Sequence, residues 1–232
     1  MINMKKRVLV TGGGGYIGST LSRHLLLNGF EVRVLDNLSM GGDGVMCFLG
    51  YPSYQFIKGD IRDKYVVDEA MRDIDHVVHL AAIVGEPAAR KFHEDAKSIN
   101  NTGTEIVFES ALRHNIERFV FFSTCSSYGV QDTSIMATET TELNPVSLYA
   151  ETKIKMENYI KDNISEKMSY IIMRPSTVHG PSPRMRFDLI VNHLSKDAVI
   201  TNKLDVFGGS LWRPLMWVGE AGRAVEKALH QK

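Results

Sequence analysis

The chain has 232 residues, enough for one α/β domain with a large hydrophobic core plus a small additional region. Its 27 Lys and Arg residues balance 27 Asp and Glu residues, so the net charge indicates neither a nucleic acid nor a membrane surface as partner. Cys47 and Cys125 lack the spacing of metal ligands, and the sequence has neither a signal-peptide core nor an apolar run of roughly 18 residues. We therefore expect a soluble, cytoplasmic protein without a metal site.

A glycine-rich segment lies between the first predicted strand, residues 7–10, and the first predicted helix. This order is typical of a turn that binds a dinucleotide. In such a turn Gly12 permits the sharp bend, Gly15 lets the backbone approach a pyrophosphate, and Gly18 lets the helix pack close to the strand. The phosphates would meet the free N–H groups and the positive dipole end of the helix.

The second predicted strand, residues 31–36, ends in an acid. Asp36 follows the glycines by about 20 residues, where a carboxylate accepts hydrogen bonds from the adenosine ribose hydroxyls. The alternative interpretation is a solvated strand end, but the whole series of strand, glycines, helix, strand and acid favours the dinucleotide. Because a carboxylate at this position would repel a 2′-phosphate, it also favours NAD over NADP.

In the rest of the chain predicted strands alternate with predicted helices, after a glycine-rich loop or short helix at 37–50. Strands are predicted at 54–60, 75–82, 118–123 and 168–174, and helices at 65–71, 98–114 and 148–164. The alternation implies right-handed βαβ units, and the continuous apolar strands fit burial on both faces. The predicted fold class is therefore α/β, a Rossmann-type doubly wound parallel sheet.

Regularity is lost after Pro175, where prolines and glycines interrupt the pattern. We expect a small, loop-rich cap over the carboxyl edge of the sheet, with a short strand near 198–200 and a turn at 208–209. The predicted organisation is a dinucleotide-binding Rossmann domain at 1–174 and a small C-terminal substrate-binding region at 175–232.

A group of hydroxyl and amine side chains follows the fifth predicted strand. Thr124 comes directly after it, and Tyr149 and Lys153 share one helix face at i and i+4. A free tyrosine, with a pKa of about 10, accepts a proton poorly at neutral pH, whereas a neighbouring ammonium lowers that pKa. A Tyr-x-x-x-Lys pair also occurs by chance on amphipathic helices, but its position after a dinucleotide turn favours acid–base catalysis, with Thr124 holding a substrate oxygen.

These motifs resemble the extended short-chain dehydrogenases/reductases, specifically the NAD-dependent nucleotide-sugar epimerase/dehydratase family. They cover about residues 7–220 in the family's order. The matching motifs are Thr11-Gly12-x-x-Gly15-x-x-Gly18, Asp36, Asp60-Ile61, His79-Leu80-Ala81-Ala82, Asn100-x-x-Gly103-Thr104, Ser123-Thr124-x-x-x-Tyr128-Gly129, Tyr149-x-x-x-Lys153 and Arg174-Pro175-x-x-Val178-x-Gly180-Pro181.

The resemblance implies NAD as cofactor, Tyr149 as acid and base, Lys153 as its partner and ribose ligand, and Thr124 as the assisting hydroxyl. It makes His79 a strand-end residue rather than a metal ligand. The residues expected at the cofactor are Gly12, Gly15, Tyr16, Ile17, Gly18, Asp36, Asn37, Asp60, Ile61, Leu80, Ala81, Ala82, Asn100, Ser123, Tyr149, Lys153, Pro175 and Val178. The residues expected at the substrate are Thr124, Ser126, Thr177, Asn192 and Arg213.

The sequence also departs from the family pattern. Cys125-Ser126 stands where dehydratases carry Asp-Glu, which argues against elimination of water. Trp217 and Glu220 replace the usual His and Asp near the C-terminus. Arg213 can fork onto a substrate phosphate or stack on Trp212. Family members continue beyond the equivalent of the last residue, so we expect a shortened substrate region, with a pocket that is incomplete or built from another chain.

The leading hypothesis is an NAD-dependent nucleotide-sugar epimerase acting at C4 through a transient keto-sugar. One alternative is a net reductase or dehydrogenase of a nucleotide sugar or related alcohol, and another is a non-catalytic, NAD-binding accessory subunit. By resemblance, the helices at 98–114 and 148–164 form a four-helix interface in a homodimer. The sugar, the nucleotide and the epimerised carbon stay open.

Overall fold

A computed structural model describes residues 5–131, 136–209 and 212–231. The strands are β1 Arg7–Thr11, β2 Glu31–Asp36, β3 Tyr54–Lys58, β4 His76–His79, β5 Arg118–Phe122, β6 Ser169–Met173, β7 Thr177–His179 and β8 Leu215–Trp217. The helices are α1 Tyr16–Leu27, α2 Asp43–Met46, α3 Lys64–Met71, α4 Glu86–Lys91, α5 His93–Lys97, α6 Thr104–Arg113, α7 Leu148–Asn163, α8 Ile190–Thr201 and α9 Val218–His230. A π-helical turn at Ser98–Gly103 leads into α6, and a 3-10 turn at Cys125–Tyr128 follows β5.

Six parallel strands form the central sheet in the order β3-β2-β1-β4-β5-β6. The strand order reverses between the paired strands β1 and β4, because β2 and β3 follow outward from β1 on one side and β5 and β6 follow outward from β4 on the other. Such a reversal opens a crevice at the carboxyl ends of the strands, where ligands of doubly wound sheets bind. The predicted Rossmann-type fold is confirmed.

Each face of the sheet is covered by its own hydrophobic core, because successive strand residues point to opposite sides. Leu9, Val77 and Phe119 face the side covered by α3, α6 and α7. Val10 and Val78 face the other side, where α1 and α9 pack together. The inner strands β1, β2, β4 and β5 are buried along nearly their whole length on both faces, which explains their continuous apolar pattern.

The C-terminal region adds a two-stranded parallel pair, β7 and β8, and the helices α8 and α9. The strand predicted near 198–200 is wrong, because these residues form the last turns of α8. Val199 and Ile200 are 84% and 72% exposed, so this apolar run is a helix end on the surface rather than a buried strand. Asn202, at a φ of 55°, ends the helix in the left-handed conformation. Gly208 has a φ of 65° at the predicted turn.

Within the part of the chain that is described, none of the helices has the length and apolar composition that a membrane crossing requires. The division of the chain into two regions at residue 174 stays a prediction. The two regions are in contact, because Val178 and Val218 of the later one pack against Tyr16 of α1.

Candidate cofactor and active site

The glycine turn between β1 and α1 has no room for side chains. Gly12 has a φ of +71°, and a Cβ there would lie 2.6 Å from the backbone nitrogen of Ala81. A Cβ on Gly18 would lie 2.3 Å from the carbonyl oxygen of Gly12. Gly15 is the N-cap of α1, and neither a side-chain cap nor an acid in the first turn occupies the end of the helix. Tyr16 and Ile17 therefore begin a helix whose N–H groups face the sheet edge, which fits a pyrophosphate.

Asp36 lies directly beside this turn. Its Oδ2 accepts a hydrogen bond from the Gly14 N–H at 3.0 Å, and its Oδ1 accepts one from the Leu38 N–H at 2.8 Å. The carboxylate is therefore held against the glycine turn rather than solvated at a loose strand end. The neighbouring Asn37 is exposed, with its side-chain oxygen accepting from the Ser39 N–H. This arrangement fits the ribose of an adenosine whose pyrophosphate meets α1.

The segment after β3 provides a second wall. Asp60 pairs with Arg62 through two hydrogen bonds of 2.9 and 2.7 Å, and this guanidinium holds the pKa of Asp60 below its usual range. Ile61 is buried in the core under Gly103, where a Cβ would lie 2.6 Å from the Ile61 side chain. The Ile61 side chain therefore packs internally, and only its backbone is left to face an adenine.

The end of β4 is braced by buried polar side chains. His79 is fully buried, with Nδ1 at 2.7 Å from the Thr11 hydroxyl and Nε2 at 2.9 Å from the Thr104 hydroxyl. Burial lowers the pKa of His79 to about 3, so the ring is a neutral strut between β1, β4 and α6. Among the described residues no cluster of three His, Cys, Asp or Glu side chains could hold a metal ion.

Asn100 fixes the loop that follows β4. Its Oδ1 accepts from the Ile83 N–H at 2.8 Å, and its Nδ2 donates to the Ile83 carbonyl at 3.0 Å. The half-buried Leu80, Ala81 and Ala82 lead from β4 into this loop, and Leu80 and Ala81 lie against the glycine turn. Asn100 therefore shapes the predicted cofactor wall from behind, rather than facing a ligand with its own amide.

The predicted catalytic residues lie at the carboxyl edge of β5. Thr124 is buried and caps the short turn after the strand, accepting from the Ser126 N–H at 3.2 Å. Lys153 is also buried, and its ammonium donates to the Phe122 carbonyl at 2.8 Å and lies 4.8 Å from the centre of the Phe121 ring. Ser126 is exposed at the mouth of this edge.

The ionisation of the Tyr149–Lys153 pair differs from the sequence-based expectation. Burial raises the pKa of Tyr149 to about 12, although the positive charge of Arg186 and a hydrogen bond with the Thr124 side chain act in the opposite direction. Burial also lowers the pKa of Lys153 to about 7, opposed by the negative charge of Glu157. The positive charge that lowers the pKa of Tyr149 is that of Arg186, and Lys153 would add to it only when protonated, which its own burial disfavours.

The other predicted contacts divide between backbone and side chain. The Ser123 hydroxyl donates to the Glu157 carboxylate, and the Pro175 carbonyl accepts from the Cys125 N–H at 3.1 Å. Val178 is buried against Tyr16, so its side chain belongs to a small core. Ser123 and Val178 could therefore contact a cofactor only through their backbone atoms, and Pro175 through its backbone or the exposed part of its ring.

Asn192 connects the C-terminal region to the cofactor turn. Its Nδ2 donates to the Tyr16 hydroxyl and to the Arg186 carbonyl, both at 3.0 Å, and its Oδ1 accepts from the Gly180 N–H at 2.9 Å. Both of its N–H donors are used inside the protein, so the predicted substrate contact has no free donor here. Thr177 is half-buried in β7.

Arg213 and Trp212 are both exposed in the segment before β8. The replacement of the usual His by Trp217 has a packing reason. Cβ atoms on Gly180 and Gly219 would lie 2.6 and 2.2 Å from the Trp217 ring, so the two glycines make space for the indole.

Two charged residues of the site were missed by sequence reasoning. Arg186 follows β7, forms two hydrogen bonds with Asp188 at 3.1 and 2.5 Å, and lowers the pKa of Tyr149. The signal for it was a basic residue in the proline-rich loop. Glu157 lies four residues after Lys153 on the same helix, and its side chain is fully buried. The sequence signal for it was this i, i+4 spacing of a glutamate from Lys153.

Comparison with known proteins identifies the family. The profile of the NAD dependent epimerase/dehydratase family matches residues 8–232. The putative UDP-glucose 4-epimerase of Methanocaldococcus jannaschii is 30% identical over 229 residues, which cover 97% of this chain and 74% of that protein. The probable UDP-arabinose 4-epimerase 3 of Arabidopsis thaliana is 34% identical over 191 residues, covering 77% of this chain and 45% of that protein.

The same relationship holds for solved structures. The UDP-glucose 4-epimerase of Thermus thermophilus in complex with NAD superposes with a TM-score of 0.84 at 30% identity, over 97% of this chain and 75% of that one. The chain thus spans about half to three quarters of the length of these relatives. With an open helix end, a tightly packed glycine turn and an acid beside it, the chain belongs to the NAD-dependent epimerase/dehydratase family of extended short-chain dehydrogenases/reductases.

Proposed function

We propose that the protein is an NAD-dependent epimerase of a nucleotide sugar, acting at C4 through a transient keto-sugar. The observation that carries this proposal is the convergence of Thr124, Tyr149 and Lys153 on the carboxyl edge that also holds the glycine turn and Asp36. Bound NAD would supply the hydride acceptor and donor that this chemistry needs. The named relatives that are 4-epimerases of UDP-sugars support UDP as the nucleotide.

The chain's own residues would handle the proton and the sugar. Tyr149 takes the proton of the C4 hydroxyl and later returns it, and Thr124 holds the same oxygen by hydrogen bonding. Because burial raises the pKa of Tyr149, proton removal depends on nearby positive charge, which Arg186 and protonated Lys153 provide. Lys153 and Tyr149 would also bind the nicotinamide ribose, and Asp36 the adenosine ribose.

The residue after Thr124 favours epimerisation over elimination of water. Cys125 is half-buried, and burial raises the pKa of its thiol. A neutral thiol at this position is a much weaker proton donor to a leaving hydroxyl than the carboxylic acid of a dehydratase. The neutral thiol does not distinguish epimerisation from net reduction, because both reactions transfer a hydride at one sugar carbon.

The decisive experiment is the interconversion of UDP-glucose and UDP-galactose by purified protein with NAD, compared with the Tyr149→Phe variant. Interconversion without net change in reduced-nicotinamide absorbance supports the epimerase. Stoichiometric consumption of NADH instead supports the reductase alternative. Retained NAD binding with no turnover of a panel of UDP-sugars, and identical behaviour of Tyr149→Phe, supports the accessory-subunit alternative.

We also propose that this epimerase works as a homodimer in the cytoplasm, with α6 and α7 of two copies forming a four-helix interface. On one copy these helices already pack side by side, with the Tyr159 hydroxyl donating to Glu109 at 3.1 Å and Lys155 lying 3.9 Å from Glu105. The free thiols of Cys47 and Cys125 fit a reducing compartment. Sedimentation at micromolar concentration tests the dimer, and a monomeric mass contradicts it.

A further inference from the structure

The helix that carries Tyr149 and Lys153 also carries a buried carboxylate that the proton and hydride steps described above do not use. Glu157 lies one turn after Lys153 on α7, and its side chain is fully buried. A carboxylate loses much free energy on burial unless it is paired and hydrogen-bonded. Its position therefore depends on the partners that hold it.

Those partners come from two strands. Arg174, directly after β6, donates from Nε to Oε1 at 2.9 Å and from Nη2 to Oε2 at 2.5 Å, a forked pair. The Ser123 hydroxyl, directly after β5, donates to Oε1 as well. The ammonium of Lys161 lies 3.8 Å from Oε2 at the outer end of the pair. Glu157 is thus held in one orientation by groups of the sheet edge.

The same ion pair reaches the turn that follows Thr124. Arg174 donates from Nη1 to the Tyr128 hydroxyl at 3.0 Å, and its guanidinium lies 5.2 Å from the centre of the Tyr128 ring. Ser123 precedes Thr124 and Tyr128 follows it. One buried pair therefore connects α7 to both sides of the segment that presents the Thr124 hydroxyl.

Glu157 is also a negative charge that acts on the Lys153 ammonium. The Lys153 ammonium donates to the carbonyl of Phe122, the residue before Ser123. The titratable groups that interact with it are His79 from β4, whose ring is neutral, and Glu157 one turn later on its own helix. Among these only Glu157 favours the protonated form of Lys153, and burial acts against it.

We propose that Glu157 is a positioning residue for the reaction. Its clamped carboxylate holds α7 against the Thr124 segment and supplies the negative charge that Lys153 faces. This inference rests on the proposed function, because it assigns Glu157 a task in the action of Tyr149 and Lys153. It also makes a claim about Lys153 that is measurable without turnover.

The test uses the whole protein with lysine labelled by ¹³C at Cε, so that NMR reports the pKa of Lys153, assigned with a Lys153→Arg variant. In Glu157→Gln we expect this pKa to fall by roughly one unit, because an opposite charge nearby is removed. With NAD and UDP-sugar we expect kcat at neutral pH to fall about ten-fold or more, while the Kd of NAD changes by less than about three-fold. Glu157→Asp keeps the charge and should recover part of the loss.

Glu166→Gln is the matched control, because it removes an exposed carboxylate just after α7 and should change neither quantity. The Glu157→Gln/Arg174→Gln double variant covers the case in which an unpaired Arg174 prevents folding. Because it also removes a positive charge, its Lys153 pKa should fall less than in Glu157→Gln, while its kcat should stay low. A native Lys153 pKa in folded Glu157→Gln, or a native kcat in the folded double variant, overturns the proposal. If the native protein turns over no sugar nucleotide, the proposed function fails, while the Lys153 titration still decides the charge that Glu157 supplies.

Discussion

Substitution of Gly12 by alanine tests whether the turn between β1 and α1 is built for close approach of backbone. Two effects add at this position. The left-handed φ of +71° costs a residue with a Cβ about 1–2 kcal/mol. The new Cβ would also lie 2.6 and 2.7 Å from the N and Cα atoms of Ala81, which are backbone atoms that cannot move aside as a side chain does, and such overpacking costs about 1–3 kcal/mol.

Gly12→Ala is therefore expected to lose about 2–5 kcal/mol of unfolding free energy, a large part of the 5–15 kcal/mol typical of a domain. Urea titration followed by circular dichroism measures this loss. Isothermal titration with NAD measures the second consequence. Displacement of the turn removes one or two hydrogen bonds to a charged phosphate, so the Kd of NAD should rise between about ten-fold and a hundred-fold.

Gly29 provides the matched control, because its φ is +85° and a Cβ there would meet nothing within 4 Å. Gly29→Ala should show the backbone penalty alone, about 1–2 kcal/mol, with native affinity for NAD. Equal losses of stability in the two variants, together with native NAD affinity in Gly12→Ala, would refute the claim that close packing on Ala81 shapes the cofactor turn.

Three further predictions concern the site. Tyr149→Phe should lower kcat at least about a hundred-fold with little change in the Kd of NAD, measured by turnover and titration; a native kcat would remove Tyr149 from catalysis. Arg186→Gln should move the acidic limb of the kcat profile to higher pH, because it removes a positive charge that lowers the pKa of Tyr149; an unmoved limb would show that this charge is screened. The pKa of His79 is about 3 in the folded protein and near 6.5 in the unfolded chain, so the unfolded chain binds more protons between these pH values. The free energy of unfolding therefore falls as the pH drops from about 6.5 towards 3, by at most about 1.4 kcal/mol per pH unit from this group. His79→Gln should flatten that dependence in urea titrations from pH 7 to 4, and an unchanged slope would contradict the assignment.

Much of the fold follows from short stretches of sequence. The strand, glycine turn, helix and acid between residues 7 and 36 were predictable because glycine conformation, helix spacing and strand burial each have a local signature. The helices α4, α5, α8 and α9 and the strand pair β7–β8 were not predicted, and the last turns of α8 were predicted as a strand. Their apolar residues are few or are arranged by neighbours distant in sequence, as where Ala221 and Val225 of α9 pack against α1.

The candidate site divides in the same way. The residue types and their order determined by themselves that Thr124, Tyr149 and Lys153 would share the carboxyl edge with a dinucleotide turn, because parallel strands bring their carboxyl ends to one edge. The tertiary structure alone decided the charges at that edge. Burial and neighbouring side chains set the pKa values of Tyr149 and Lys153, and the packing of α7 on the sheet paired Glu157 with Arg174. Such electrostatic effects depend on distance and solvent exclusion, which residue spacing along the chain does not encode.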